Sequence, residues 1–160
     1  NEYIKMNNQE KVESFLNDFK NNSRPIKVVI SGSREFTDYK LFTEILNDLL
    51  DKFPDFEIIS GKATSGPDLM GIEYSKEHGI LCHLYPADWN NIGVPNARIK
   101  TNSKGKQYNA NAGHDRNLIM AEACDFYIVF WDGKSPGTKN MLSCLNSKNK
   151  VGVLFMVWLF

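Results

Sequence analysis

Three glycine-bearing turns in this chain each follow an apolar run and open a helix-like one. The first is Ser31-Gly32-Ser33-Arg34, and the second runs from Ser60-Gly61 to Gly66. The third is Trp131-Asp132-Gly133-Lys134-Ser135-Pro136-Gly137-Thr138. The chemistry such turns offer is anion binding. Glycine lets backbone N–H groups approach a ligand, and a helix N-terminus presents partial positive charge. Ser33 adds a hydroxyl and Arg34 a bidentate, charge-assisted donor, although a tight turn with a surface arginine is the commoner event. Gly137 and Thr138, with Ser135 before them, form a phosphate cradle at a helix start; Thr138 can equally be a plain cap. Asp68, two residues after Gly66, can cap the helix it begins or accept hydrogen bonds from a ribose diol.

Two further groups belong with these turns. Asp88-Trp89 follows an apolar run: Trp89 can stack on a base and Asp88 can hold a sugar hydroxyl, or the tryptophan simply packs against the loop that follows. Gly113-His114-Asp115-Arg116-Asn117 opens a helix, and a cation near a helix start is unfavourable for the dipole, which hints that Arg116 pairs with phosphate. Neither a GxGxxG fingerprint nor a Walker A lysine occurs, which argues against a dinucleotide oxidoreductase and a P-loop NTPase. His78, His83 and His114 lack metal-ligand spacing, so no metal site is expected. No cofactor is expected either.

These residues must be carried by regular elements. Ile26–Ile30 and Phe126–Trp131 are apolar runs suited to strands buried on both faces, with shorter strands at 57–59 and 80–85 and a last one at 151–160. Leu41, Phe42, Ile45, Leu46, Leu49, Leu50 and Phe53 recur at helical spacing behind the cap pair Thr37-Asp38. Helices are also expected from Gly66-Pro67 to Gly79, over 112–123 and over 135–147. Strand and helix alternate about five times, which predicts an α/β, Rossmann-like, open and mainly parallel five-stranded sheet with helices on both faces. Residues 1–24 read as an amphipathic arm helix on Val12, Phe15, Leu16 and Phe19, packing on its own core or covering a partner subunit. The remaining 25–160 form the main domain, with a long loop at 90–111. That loop carries Arg98, Lys100, Lys104 and Lys106 without an acid between them, either a basic flap over an anionic ligand or a solvated surface.

Composition limits the rest. The 160 residues suffice for one domain with a real core. Nineteen cations balance nineteen acids, which weighs against a protein that coats nucleic acid. Cys82, Cys124 and Cys144 are three, widely spaced and in no CxxC, so reduced thiols in a cytoplasmic protein are expected. No run is long enough to span a membrane, and no signal-peptide core is visible.

Taken together and in order, these residues resemble the SLOG superfamily, and within it the YspA/YpsA-like branch. The residues that carry the likeness are Gly32-Ser33-Arg34 with Phe36; Ser60-Gly61 through Gly66 and Asp68; and Ala87-Asp88-Trp89. To these add Ala112-Gly113 with Arg116-Asn117 and Met120, and Phe130 to Gly133 with Ser135 and Gly137-Thr138. The resemblance covers about 26–153. It implies a nucleotide or nucleotide-derived ligand at the strand rim and self-association into a homo-oligomer. In the related LOG phosphoribohydrolases, which cleave the N-glycosidic bond of nucleoside 5′-monophosphates, a catalytic glutamate stands three residues after the Gly-Thr pair, with an arginine in the preceding helix. Arg116 looks like that arginine, but the glutamate position here is Met141, whose thioether can serve as neither acid nor base. No catalytic residue is therefore assigned; Asp68, Asp88, Glu122 and Asp132 are the substitutes. The first expectation is a binding module that senses, carries or sequesters a nucleotide. The alternatives are an N-glycosidase and a binder of single-stranded DNA similar to DprA. In the pocket so read, Gly32 to Arg34, Gly61 and Gly137-Thr138 hold phosphate and Arg116 pairs with it. Asp68 or Asp88 holds ribose, Trp89 or Trp131 contacts the base, and Gly66, Gly113, Asn117, Gly133 and Ser135 complete the nucleotide-binding set.

Overall fold

The computed structural model describes residues 3–6 by their backbone and residues 9–157 in full. The chain runs β1 (Tyr3–Met6), α1 (Gln9–Phe19), β2 (Lys27–Gly32), α2 (Tyr39–Lys52), β3 (Glu57–Ser60) and α3 (Pro67–His78). It continues through β4 (Cys82–Leu84), β5 (Ile99–Thr101), β6 (Gln107–Asn109), α4 (Ala112–Ala123), β7 (Phe126–Trp131), α5 (Pro136–Ser147) and β8 (Val151–Val157). The main sheet has the order β1-β8-β7-β2-β3-β4. Its five strands from β8 to β4 are all parallel, and β1 joins β8 antiparallel.

Alternation along the central strands decides the layering. Val28, Ile30, Ile58, Phe126, Ile128 and Phe130 face one core, which α1, α2 and α3 close with Val12, Phe19, Phe42, Leu46, Met70 and Tyr74. Val29, Ile59 and Val129 face the other core, closed by Met120, Ala121 and Cys124 of α4 and by Met141, Cys144 and Leu145 of α5. Asp38 caps α2 by accepting the Leu41 N–H at 3.1 Å. Met141 is 1% exposed and belongs to the second core, so the position where a LOG enzyme keeps its glutamate is packing here.

The structure changes two details of the reading, in the arm and in segment 90–111. The arm contributes an edge strand as well as a helix, making the sheet six-stranded; four residues are too few to show a period. The arm helix lies on the chain's own sheet, where Phe15 stacks on Phe126 with ring centroids 6.0 Å apart. Arg24 then ties the arm to the start of β7 through a bidentate pair with Asp125 at 2.7 and 2.8 Å. Segment 90–111 is not featureless: it holds the β5–β6 hairpin. The last strand is described only to Val157, and 158–160 of the expected 151–160 lie outside the described residues.

Candidate functional site

Strand order reverses between β2 and β7, because the chain moves from β2 through β3 to β4 and then returns to the other side of β2. In open parallel sheets the crevice beyond the carboxyl ends at such a switch point is the ligand site. Here it is a cavity of about 570 Å³ lined by Gly32, Arg34, Asp68, Arg116, Asn117, Asp132, Lys134, Ser135, Gly137 and Thr138 among others. Eight of the expected site residues therefore share one cavity: Gly32, Arg34, Asp68, Arg116, Asn117, Ser135, Gly137 and Thr138.

Its walls come from the turns after β2, β3 and β7 and from α4. The Ser33 hydroxyl, 1% exposed, accepts the Asp132 N–H at 3.1 Å, so Ser33 joins the β2 and β7 turns rather than lining the cavity. Asp132 accepts the Lys134 and Ser135 N–H groups at 2.8 Å each and the Ser135 hydroxyl proton at 3.1 Å. Burial opposes its charge, but these bonds outweigh burial and hold its carboxyl below the usual range. Trp131 donates its Nε1–H to Ser135 O at 3.1 Å and, like Gly133, supports the turn from outside the cavity. Gly66 takes φ +74°, and a Cβ there would stand 2.8 Å from Arg34 Cα. This glycine thus lets the β3 turn close on the β2 turn.

The α5 N-terminus forms the open wall. Pro136 has no N–H, and Ser135 makes no side-chain cap. The N–H groups of Gly137 and Thr138 have no acceptor among the described residues. A Cβ on Gly137 would meet nothing within 4 Å, so packing gives no reason for glycine there. Asn117 holds the start of α5 through Asn140 Oδ1 at 2.9 Å and Gly137 O at 3.4 Å.

Arg116 stands one turn into α4 and does more than face the cavity. Its Nη1 donates to Gly61 O at 2.6 Å and Tyr85 O at 3.3 Å, and its Nε to Asn117 Oδ1 at 3.0 Å. It thereby clamps the carboxyl ends of β3 and β4, while its Nη2 N–H groups make no bond among the described residues. Gly61 is needed for this clamp: a Cβ there would lie 2.4 Å from Arg116 Nη1 and 2.8 Å from Asp68 Oδ2.

Asp68, 8% exposed, is the buried acid of the cavity. Burial raises its pKa to about 6, against the pull of Arg116, the Ala63 N–H and Arg34. Carboxyls shifted this way in a cleft cluster at functional sites. Burial likewise lowers Arg116 from its ordinary value, with Asp68 acting against the fall.

The other expected residues sit elsewhere. Asp88 lines a second cavity of about 330 Å³, which meets the first at Arg116. Trp89, 40% exposed, lines neither cavity. It packs edge-on against Tyr108 and lies where a Gly113 Cβ would be 2.9 Å from its ring. Glu122 is exposed near the C-terminus of α4, beside Lys150 and away from the strand rim. Lys134 lines the cavity although the sequence reading did not single it out. Its signal was present, a cation inside the third glycine turn. Among the described residues no group of three or more His, Cys, Asp or Glu side chains could hold a metal ion, and no helix is long and apolar enough to cross a membrane.

The protein is a Rossmann-like α/β domain with a cavity at its topological switch point that is lined by three cations, Arg34, Arg116 and Lys134, and three acids, Glu35, Asp68 and Asp132. Residues 26–91 of the chain are similar to the family described as YAcAr, the YspA, cpYpsA-related SLOG family. The match spans β2 to β4 and so includes the Gly32, Gly61 and Gly66 turns and Asp68, while Arg116 and the α5 cradle lie beyond it. No curated protein matches the chain.

Proposed function

We propose that the chain binds a nucleotide or nucleotide-derived small molecule in the switch-point cavity, as a sensing, carrying or sequestering module. The observation that carries this reading is the uncapped α5 N-terminus. Two unpaired N–H groups and an unexplained glycine line the same cavity as the cations Arg34, Arg116 and Lys134. A phosphate is the ligand group that such N–H groups and cations bind. Met120 adds an apolar surface for the rest of the ligand. The SLOG match supports a nucleotide-related ligand in general.

The test is a thermal-shift screen of nucleotides, with each mixture then separated by HPLC. A ligand at about 100 times its Kd should stabilise the fold by about 2.7 kcal/mol. Arg34→Ala and Lys134→Ala should each weaken a phosphate-bearing hit by about 1.5–3 kcal/mol without changing the fold. They are cleaner variants than Arg116→Ala, which also opens the β3–β4 clamp. Absence of any shift across the screen, or equal affinity in both variants, removes this reading.

Asp68 favours a second reading, nucleotide N-glycoside cleavage. It is a buried carboxyl in the cavity with a pKa near the operating range of a general acid. Free base in the HPLC traces, lost in Asp68→Asn, is the result that would select it.

A further inference from the structure

Residues 89–114 contain no Asp or Glu and hold four cations, Arg98, Lys100, Lys104 and Lys106. In a chain of zero net charge this segment carries +4 and the remainder −4. The structure arranges these cations. In the β5–β6 ribbon Lys100 is opposite Tyr108, Asn102 bonds Lys106 O at 2.9 Å, and Ala110 bonds Arg98 O at 2.7 Å. Directly opposed residues share a face, and so do residues two apart. Arg98, Lys100, Lys106 and Tyr108 therefore lie on one face, with Lys104 at the tip.

The ribbon is held at its foot. Asn109, 2% exposed, accepts the Arg98 and Asn111 N–H groups at 3.2 and 2.9 Å, and its own N–H donates to Trp89 O at 2.7 Å. At that foot the Trp89 ring meets Tyr108 edge-on, with centroids 6.3 Å apart, and remains 40% exposed. The result is a part-exposed aromatic at the foot of a row of exposed cations. It matches what a single-stranded nucleic acid needs: charge along the phosphates and a flat ring for an unpaired base. The cations lie on the hairpin, and none of the four lines either cavity, so they are not the phosphate donors of the small-molecule site.

We infer that the β5–β6 ribbon, with Trp89 at its foot, is a docking surface for single-stranded nucleic acid, separate from the switch-point cavity.

The experiment measures fluorescence anisotropy of a labelled oligothymidylate of about twenty nucleotides with the whole chain over a salt series. The triple variant Lys100→Ala, Lys104→Ala, Lys106→Ala changes only exposed side chains. It should weaken binding about ten-fold or more at low salt and lower the slope of log K against log salt by about 2. Trp89→Leu should weaken binding about ten-fold with the slope unchanged. Unchanged affinity in the triple variant overturns the inference. Equal affinity for a duplex of the same length overturns the single-strand assignment, as does capture by phosphatidylserine vesicles without oligonucleotide binding. A triple variant that loses the thermal shift given by a nucleotide hit but keeps the oligonucleotide makes the ribbon part of the small-ligand site and ends the proposal.

Discussion

Gly137 and Asp68 are the residues whose chemistry is least explained by packing, and each has its own test. At Gly137 a methyl meets open space and the backbone is helical, so Gly137→Ala should raise stability by roughly 0.5–1 kcal/mol. If a phosphate sits against that N–H, the same methyl should reduce nucleotide affinity, seen as a higher Tm without ligand and a smaller ligand-induced shift. Asp68 couples stability to pH. Its folded pKa of about 6 exceeds an unfolded value of about 3.9, so the folded state binds the extra proton between them. Its contribution is full below pH ~4, is lost as pH rises to ~6, and amounts to about 2–3 kcal/mol. Asp68→Asn should flatten this part of the stability–pH curve in urea titrations. An unchanged slope would mean that Asp68 titrates normally. Gly61 is the contrasting case: Gly61→Ala should destabilise by about 1–3 kcal/mol, because the methyl collides with Arg116 and Asp68.

At the scale of elements, the site depends on how turns are tied rather than on any single motif. Ser33 and Asp132 join the β2 and β7 turns, and Arg116 joins those after β3 and β4. At the opposite end of the sheet Asp125 has the corresponding duty. It accepts the Lys27 N–H at 2.9 Å and the Arg24 guanidinium, and these bonds, acting against burial, lower its pKa. Asp125→Ala removes charged hydrogen bonds to both partners and should cost about 1.5–3 kcal/mol in denaturant unfolding. Because the folded pKa is depressed, that contribution is present above the unfolded carboxylate value and fades as pH falls through the folded one. The elements themselves were largely legible. The expected helix at 112–123 and strand at 126–131 coincide with α4 and β7; the latter is a continuous apolar run, as a strand buried on both faces requires. The short strands β1, β5 and β6 were not legible, because three or four residues carry no period and pairing alone creates them.

For the whole molecule, the arm completes the sheet. β1 covers the outer edge of β8 along four residue pairs. A variant lacking residues 1–8 leaves that edge unpaired and should associate more strongly with concentration than the full chain, as measured by sedimentation velocity. The amino-acid sequence by itself determined the parallel α/β core and the three glycine turns at its carboxyl rim. Apolar runs on strands, helical periods and glycine spacing are local properties of the chain. Only the tertiary structure decided which turn residues share a cavity. It placed Gly137, Thr138, Arg34 and Asp68 together, turned Ser33 into a brace, and moved Trp89 and Gly113 to the foot of the ribbon. It also made Met141 core and gave Arg116 carbonyl partners 55 and 31 residues away. Those outcomes depend on strand order and on the angle at which turns meet, and neither is encoded in the spacing of residues along one segment.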